Sequence, residues 1–178
     1  GSGLKGSVLD PEGAMVADPI RIATPYPMSP DLFVDVLCDI AEALPPADRA
    51  TIGMPGMIRH GRVITTPHYI TVKGPHSQID PELKRAWDHY DAQTGLARRL
   101  GIPTRVVNDA EVHGAAVVSG VGLEAVFTLG TGLGCAMFDD GDLAPKLEVS
   151  RAPVRKGVIY DEWLGDAARR KLGAKRWS

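Results

Sequence analysis

Four short stretches hold residue types that can do chemistry on a polar, phosphorylated or hydroxylated ligand. Asn108-Asp109 directly follows the apolar run Arg105-Val106-Val107. A carboxylate at a strand-to-helix junction can face a ligand and stay ionised beside the helix N-terminus. Such an anion can take the proton from a hydroxyl as its oxygen attacks a phosphoryl group. The competing reading is structural, with Asn108 capping a helix and Asp109 complementing its dipole.

Gly130-Thr131-Gly132-Leu133-Gly134 lies between two apolar runs. Glycines let a backbone approach phosphate closely, and Thr131 adds a hydroxyl. A plain hairpin turn is the alternative, and the Gly-Lys-Ser/Thr ending of a P-loop is absent. Gly1-Ser2-Gly3 with Lys5 can likewise bend N–H groups around an anion, although a leading Gly-Ser is also what a cloning scar leaves. Gly53-Met54-Pro55-Gly56 and Glu148 can hydrogen-bond the hydroxyls of a polar ligand. The five histidines, His60, His68, His76, His89 and His113, form no pair with metal spacing, so no structural zinc is expected.

The elements that must position these residues alternate between strand and helix patterns, which predicts an α/β architecture. A strand into Asp10, a turn at Pro11-Glu12-Gly13 and a return strand over 14–22 open the chain. Ser29 is the expected N-cap and Pro30 the first residue of a helix whose apolar face is Phe33, Val36, Leu37, Ile40, Ala41 and Leu44. A buried strand over 50–53 feeds the Met54-Pro55-Gly56 loop, and residues 57–65 read as a hairpin turning at His60-Gly61. Residues 66–78, rich in Pro, Gly and His, read as a long irregular loop. A helix over 81–100, interrupted at Gly95, precedes a strand over 104–107. Another helix runs from Asn108-Asp109 to about Val118. Strands over 124–129 and 133–138 flank the second glycine motif, and residues 161–172 form the last helix.

The chain has 178 residues, 44% of them hydrophobic, and a formal net charge of -2. No apolar run approaches the roughly 20 residues of a membrane helix, and nothing reads as a signal peptide. The expectation is a cytoplasmic protein in which Cys38 and Cys135 are buried thiols, with a disulfide between them the open alternative. From Arg151 onward eight Lys/Arg face three Asp/Glu. This basic tail suits either a polyanion or a solvated helix with a cationic last turn, and no nucleic-acid module accompanies it.

Taken in order, the motifs resemble those of the ROK-family sugar kinases of the actin-like ATPase superfamily. Gly1-Ser2-Gly3-Leu4-Lys5-Gly6 resembles the end of the first phosphate motif, and Gly53-Met54-Pro55-Gly56 the sugar-side loop. Val107-Asn108-Asp109-Ala110 resembles the catalytic segment, and Leu129-Gly130-Thr131-Gly132-Leu133-Gly134 the second phosphate motif. Within the family the chain looks nearest to the polyphosphate glucokinase branch. The resemblance implies an actin-like, ribonuclease H-like α/β fold with two lobes around a cleft, here incomplete at both ends. The lobes would be residues 1–107 and 108–178.

It further implies a kinase of carbohydrate metabolism that moves a phosphoryl group from ATP or polyphosphate to a hexose, with glucose the expected acceptor. Magnesium would travel with the donor. Asp109 would be the base; Gly56, Asn108, Asp109 and Glu148 would hold the sugar. Ser2, Gly3, Lys5, Gly130, Thr131 and Gly132 would hold phosphates. A homodimer is implied, with no DNA or membrane partner. Three departures weaken the expectation of activity, and the loss of the usual sugar-contacting His supplies the alternative, a ROK-like sugar-binding or regulatory protein without catalysis. The strand and Asp that usually precede the first motif are missing, and the cysteine-rich zinc segment and later helices are absent. Arg151 also stands near the place of the usual sugar-contacting His.

Overall fold

The computed structural model describes residues 3–75, 77–130, 132–145, 147 and 149–177. Its contacts divide the chain into two units, Gly1–Asn108 and Asp109–Ser178.

In the first unit, β1 (Leu4–Gly6) pairs antiparallel with β2 (Ile20–Ile22). The turn between them is closed by Asp10, whose carboxylate accepts from the Ala14 N–H at 2.8 Å. The expected return strand over 14–22 shrinks to three residues, preceded by a lone bridge between Leu9 and Met15. Helix α1 (Pro30–Glu42) starts as its sequence requires: the Ser29 hydroxyl accepts from the Leu32 N–H at 3.2 Å, and Pro30 needs no N–H partner in the first turn. Its buried face includes Val34 and Cys38 as well as Phe33, Val36 and Ile40, whereas Ala41 is exposed. The helix lies against both β1 and a later helix, so it buries a wider stripe than one apolar face.

Strand β3 (Ala50–Met54) leads into the hairpin of β4 (Met57–Arg59) and β5 (Arg62–Thr65). Its turn is His60-Gly61, both at positive φ (50° and 74°), the backbone that keeps a two-residue turn in step with strand twist. The segment after β5 carries little regular structure but is not a surface loop throughout. Thr66, Tyr69 and Thr71 are buried, and Thr71 bridges to Ile79.

The helix expected over 81–100 is two helices, α2 (Pro81–Trp87) and α3 (Ala92–Leu100). The break falls at residues 88–91, not at Gly95. Asp91 stops the first helix from continuing by capping the second, accepting from the Thr94 N–H at 3.0 Å. Arg62 holds Asp91 at 2.8 Å from the hairpin side. Gly95 lies inside α3, where a side chain would press on the Tyr90 hydroxyl. Gly101, left-handed at φ 69°, ends α3. Trp87 is the centre of the core, with Phe33, Tyr69 and Tyr90 ring centroids 5.5–5.6 Å away and its indole N–H donated to the Met28 carbonyl at 2.8 Å. Strand β6 (Thr104–Asn108) closes the unit, parallel to β3.

The second unit begins with α4 (Asp109–Ala115), which ends short of the expected Val118 and unwinds through turns to that residue. It packs on an antiparallel sheet of β7 (Leu123–Leu129), β8 (Leu133–Asp139) and β9 (Asp142–Leu143). Gly114 and Gly134 make that packing close: a side chain on Gly114 would strike Phe138, and one on Gly134 would strike Ala110 and Thr128. A short 3-10 turn (Val149–Arg151) precedes the hairpin of β10 (Pro153–Arg155) and β11 (Val158–Ile159). The helix expected over 161–172 is divided at Gly165 into α5 (Tyr160–Leu164) and α6 (Asp166–Leu172), and α7 (Ala174–Trp177) follows. Cys38 and Cys135 are both buried thiols. Among the described residues no helix is long and apolar enough to cross a membrane.

Candidate functional site

The parallel pairing of β3 with β6 sets Met54 opposite Asn108. Both strands run one residue further than their apolar patterns suggest, and that residue makes the site. Asn108 is 4% exposed. Its side-chain amide donates to the Gly56 carbonyl at 2.7 Å and, more weakly, to the Met54 carbonyl at 3.4 Å. The amide nitrogen thus donates to carbonyls of a distant loop, and because a helix cap would use the amide oxygen instead, the two roles are compatible. Asn108 is the last residue of a strand and a loop clamp. Gly56 has φ 111°, and a β-carbon there would collide with the Thr65 carbonyl. Only glycine lets the loop close against the end of β5. Asp109 is exposed and opens α4, and its carboxylate accepts from the Ala110 N–H at 3.0 Å.

At the first glycine motif, Gly3 adjoins the Ile22 carbonyl so closely that a β-carbon would stand 2.6 Å from it. Gly6 makes room for Ile40 of α1. Both glycines thus have packing reasons to be there. Lys5 is exposed and lies directly opposite Arg21 across the hairpin, and the Arg21 Nε is 3.6 Å from the β-carbon position of Gly3. Two cations facing each other across a strand pair repel. Ser2 lies outside the described residues.

The second glycine motif forms a tight turn between β7 and β8. The Gly130 N–H donates to the Gly132 carbonyl at 3.0 Å, and the Asp166 N–H donates to the Gly130 carbonyl at 2.9 Å. The Leu133 N–H donates to the Asp161 carboxylate at 2.8 Å, and Gly132 has no room for a side chain because Asp161 occupies it. Gly134 serves helix packing. Thr131 and Glu148 lie outside the described residues; Arg151 is exposed on the 3-10 turn that follows Glu148 in sequence. Beside the turn is a pocket of about 430 Å³ lined by Leu129, Gly130, Leu164, Asp166, Arg169 and Trp177. Asp166 pairs with both Arg169 and Arg170, and hydrogen bonds from these guanidinium groups hold its carboxyl below the usual range.

Two residues escaped the sequence reading. Arg21 was legible in principle, because a hairpin register assumed from the Pro11-Glu12-Gly13 turn would set it near Lys5. Asp161 carried no local signal, since its partner Leu133 is 28 residues away.

Among the described residues no three His, Cys, Asp or Glu side chains are grouped to hold a metal ion.

No family model matches the chain. The polyphosphate glucokinase of Mycobacterium tuberculosis (strain ATCC 25618 / H37Rv) is 26% identical over 162 residues, covering 86% of this chain and 56% of that protein. The chain thus spans about half the length of the curated relatives it matches. An inorganic polyphosphate/ATP-glucomannokinase from Arthrobacter sp. strain KM superposes with a TM-score of 0.74 at 27% identity, covering 99% of this chain and 73% of that one. A ROK family glucokinase from Streptomyces griseus, in complex with glucose and AMPPNP, shares the fold, with a TM-score of 0.67 at 21% identity over 98% of this chain and 58% of that one.

The architecture is therefore α/β of the actin-like, ROK sugar-kinase type. In sequence the chain is similar to polyphosphate glucokinases.

Proposed function

We propose that the full-length protein is a sugar kinase that transfers a phosphoryl group from polyphosphate or ATP to a hexose hydroxyl, with glucose as the acceptor. The observation that carries this reading is the clamp between Asn108 and the Gly56 carbonyl, with the exposed Asp109 carboxylate next in the chain. A buried amide that rigidifies a glycine loop is an economical way to present backbone groups to sugar hydroxyls. Gly56, Asn108 and Glu148 position the acceptor. Asp109 accepts the proton of the attacking hydroxyl as its oxygen bonds to the terminal phosphorus and the bond to the leaving phosphate breaks. Ser2, Gly3 and Lys5, joined by Arg21, and the turn of Gly130, Thr131 and Gly132 hold the donor phosphates. Magnesium bound to the donor neutralises further phosphate charge.

The test is a coupled phosphorylation assay of the full-length protein with glucose and either ATP or polyphosphate, run beside Asp109→Asn. That substitution should lower kcat by about 100-fold or more while calorimetry finds glucose still bound. Turnover comparable to wild type overturns Asp109 as the base.

A second reading, a sugar-binding protein without catalysis, is favoured by the Asp161 carboxylate on the Leu133 N–H. An anion already sits at the glycine turn where a phosphate would go. Glucose binding with no turnover from either donor is the outcome that selects it.

A further inference from the structure

Among the described residues, the hydroxyl of Thr66 is a fully buried side-chain oxygen with no hydrogen-bond partner, in a residue only 2% exposed. Burying a hydroxyl without a partner costs about 1–3 kcal/mol. Valine has nearly the same shape and would avoid that cost. The neighbouring hydroxyl of Thr65 is by contrast used, accepting from the Met57 N–H at 3.4 Å. The Thr66 carbonyl is used as well, accepting from the Tyr69 N–H at 3.3 Å.

The position of the Thr66 side-chain oxygen gives it a use. The Thr66 α-carbon is 2.9 Å from the point where a β-carbon of Gly56 would stand, so Thr66 packs directly on the glycine of the clamped loop. The carbonyl of that same glycine is the one held by Asn108. A buried polar group that lacks a protein partner and borders a loop that presents backbone to a ligand is suited to a ligand hydroxyl.

We infer that Thr66 is a further acceptor-binding residue, whose hydroxyl hydrogen-bonds a hydroxyl of the sugar held at the Gly56–Asn108 loop. The inference rests on the sugar-kinase reading for the identity of the ligand. It adds a specificity element: a hydroxyl held in a fixed rotamer by its buried surroundings discriminates against a sugar lacking the matching oxygen.

The experiment compares wild type, Thr66→Val and Thr66→Ser in the full-length protein. Glucose binding is measured by calorimetry and thermal unfolding is followed without sugar. Thr66→Val should weaken glucose binding about tenfold, the worth of one hydrogen bond, with a melting temperature equal to or above wild type. Thr66→Ser should keep most of the affinity. Unchanged affinity in Thr66→Val overturns the inference, and so does a lowered melting temperature without sugar, which marks the hydroxyl as structural. Those results leave the sugar-kinase reading standing if wild type binds and phosphorylates glucose. A wild type that does not bind glucose overturns both.

Discussion

The side-chain amide of Asn108 reaches back 52 residues to donate to the Gly56 carbonyl at 2.7 Å, tying the end of β6 to the loop after β3. The parallel register that opposes Met54 and Asn108 makes the reach possible, and the absence of a side chain on Gly56 lets the loop lie where the amide can find it. Loop shape thus depends on the polar contacts of one buried side chain. A buried amide that loses its partners costs more than the bond gains in isolation, so the contact also resists substitution.

Replacing Asn108 by Ala should cost about 1–3 kcal/mol in urea unfolding, because the Met54 and Gly56 carbonyls lose their donor. Asn108→Asp should cost more than Asn108→Ala, since it sets a carboxylate against carbonyl oxygens. Under the proposed function both variants also bind glucose more weakly than wild type, measurable by calorimetry.

Gly132→Ala should displace the Asp161 carboxylate from the Leu133 N–H, because the new methyl group stands where that carboxylate sits. The expected cost is about 1–2 kcal/mol. In an Asp161→Ala background the same substitution should cost less, with a coupling of at least about 0.5 kcal/mol. A double-mutant cycle from denaturant midpoints measures it, and strict additivity would contradict the assigned contact.

Asp91 links the capping of α3 to the β4–β5 hairpin. The hydrogen bond from the Thr94 N–H, helped by the Arg62 guanidinium, holds its carboxyl below the ordinary value of 3.8. A depressed folded-state value means that the unfolded chain takes up the proton first. The stability this carboxylate contributes is therefore complete above about pH 4 and lost as pH falls through the lowered value. Asp91→Ala should lose about 1 kcal/mol at neutral pH. It should also lose less of its remaining stability than wild type between about pH 5 and pH 3, as urea midpoints across that range will show.

Much of this protein was readable before any coordinates. Ser29 and Pro30 start α1 and Gly101 ends α3, because capping chemistry acts within a few residues and leaves its signature in local sequence. His60-Gly61 turns its hairpin for the same reason, and the order of the glycine motifs pointed to the fold. What only the tertiary structure decided are relations between residues distant in sequence. The helix over 81–100 breaks at Asp91 because Arg62 and the cap hold it there, while Gly95 stays helical beneath Tyr90. Arg21 faces Lys5, Asp161 fills the space of the missing Gly132 side chain, and the backbone of Thr66, whose hydroxyl is buried without a partner, packs against Gly56. Propensity and periodicity describe a residue's own neighbourhood along the chain. A clamp, a filled glycine or an unsatisfied hydroxyl exists only once packing has brought the second residue to it.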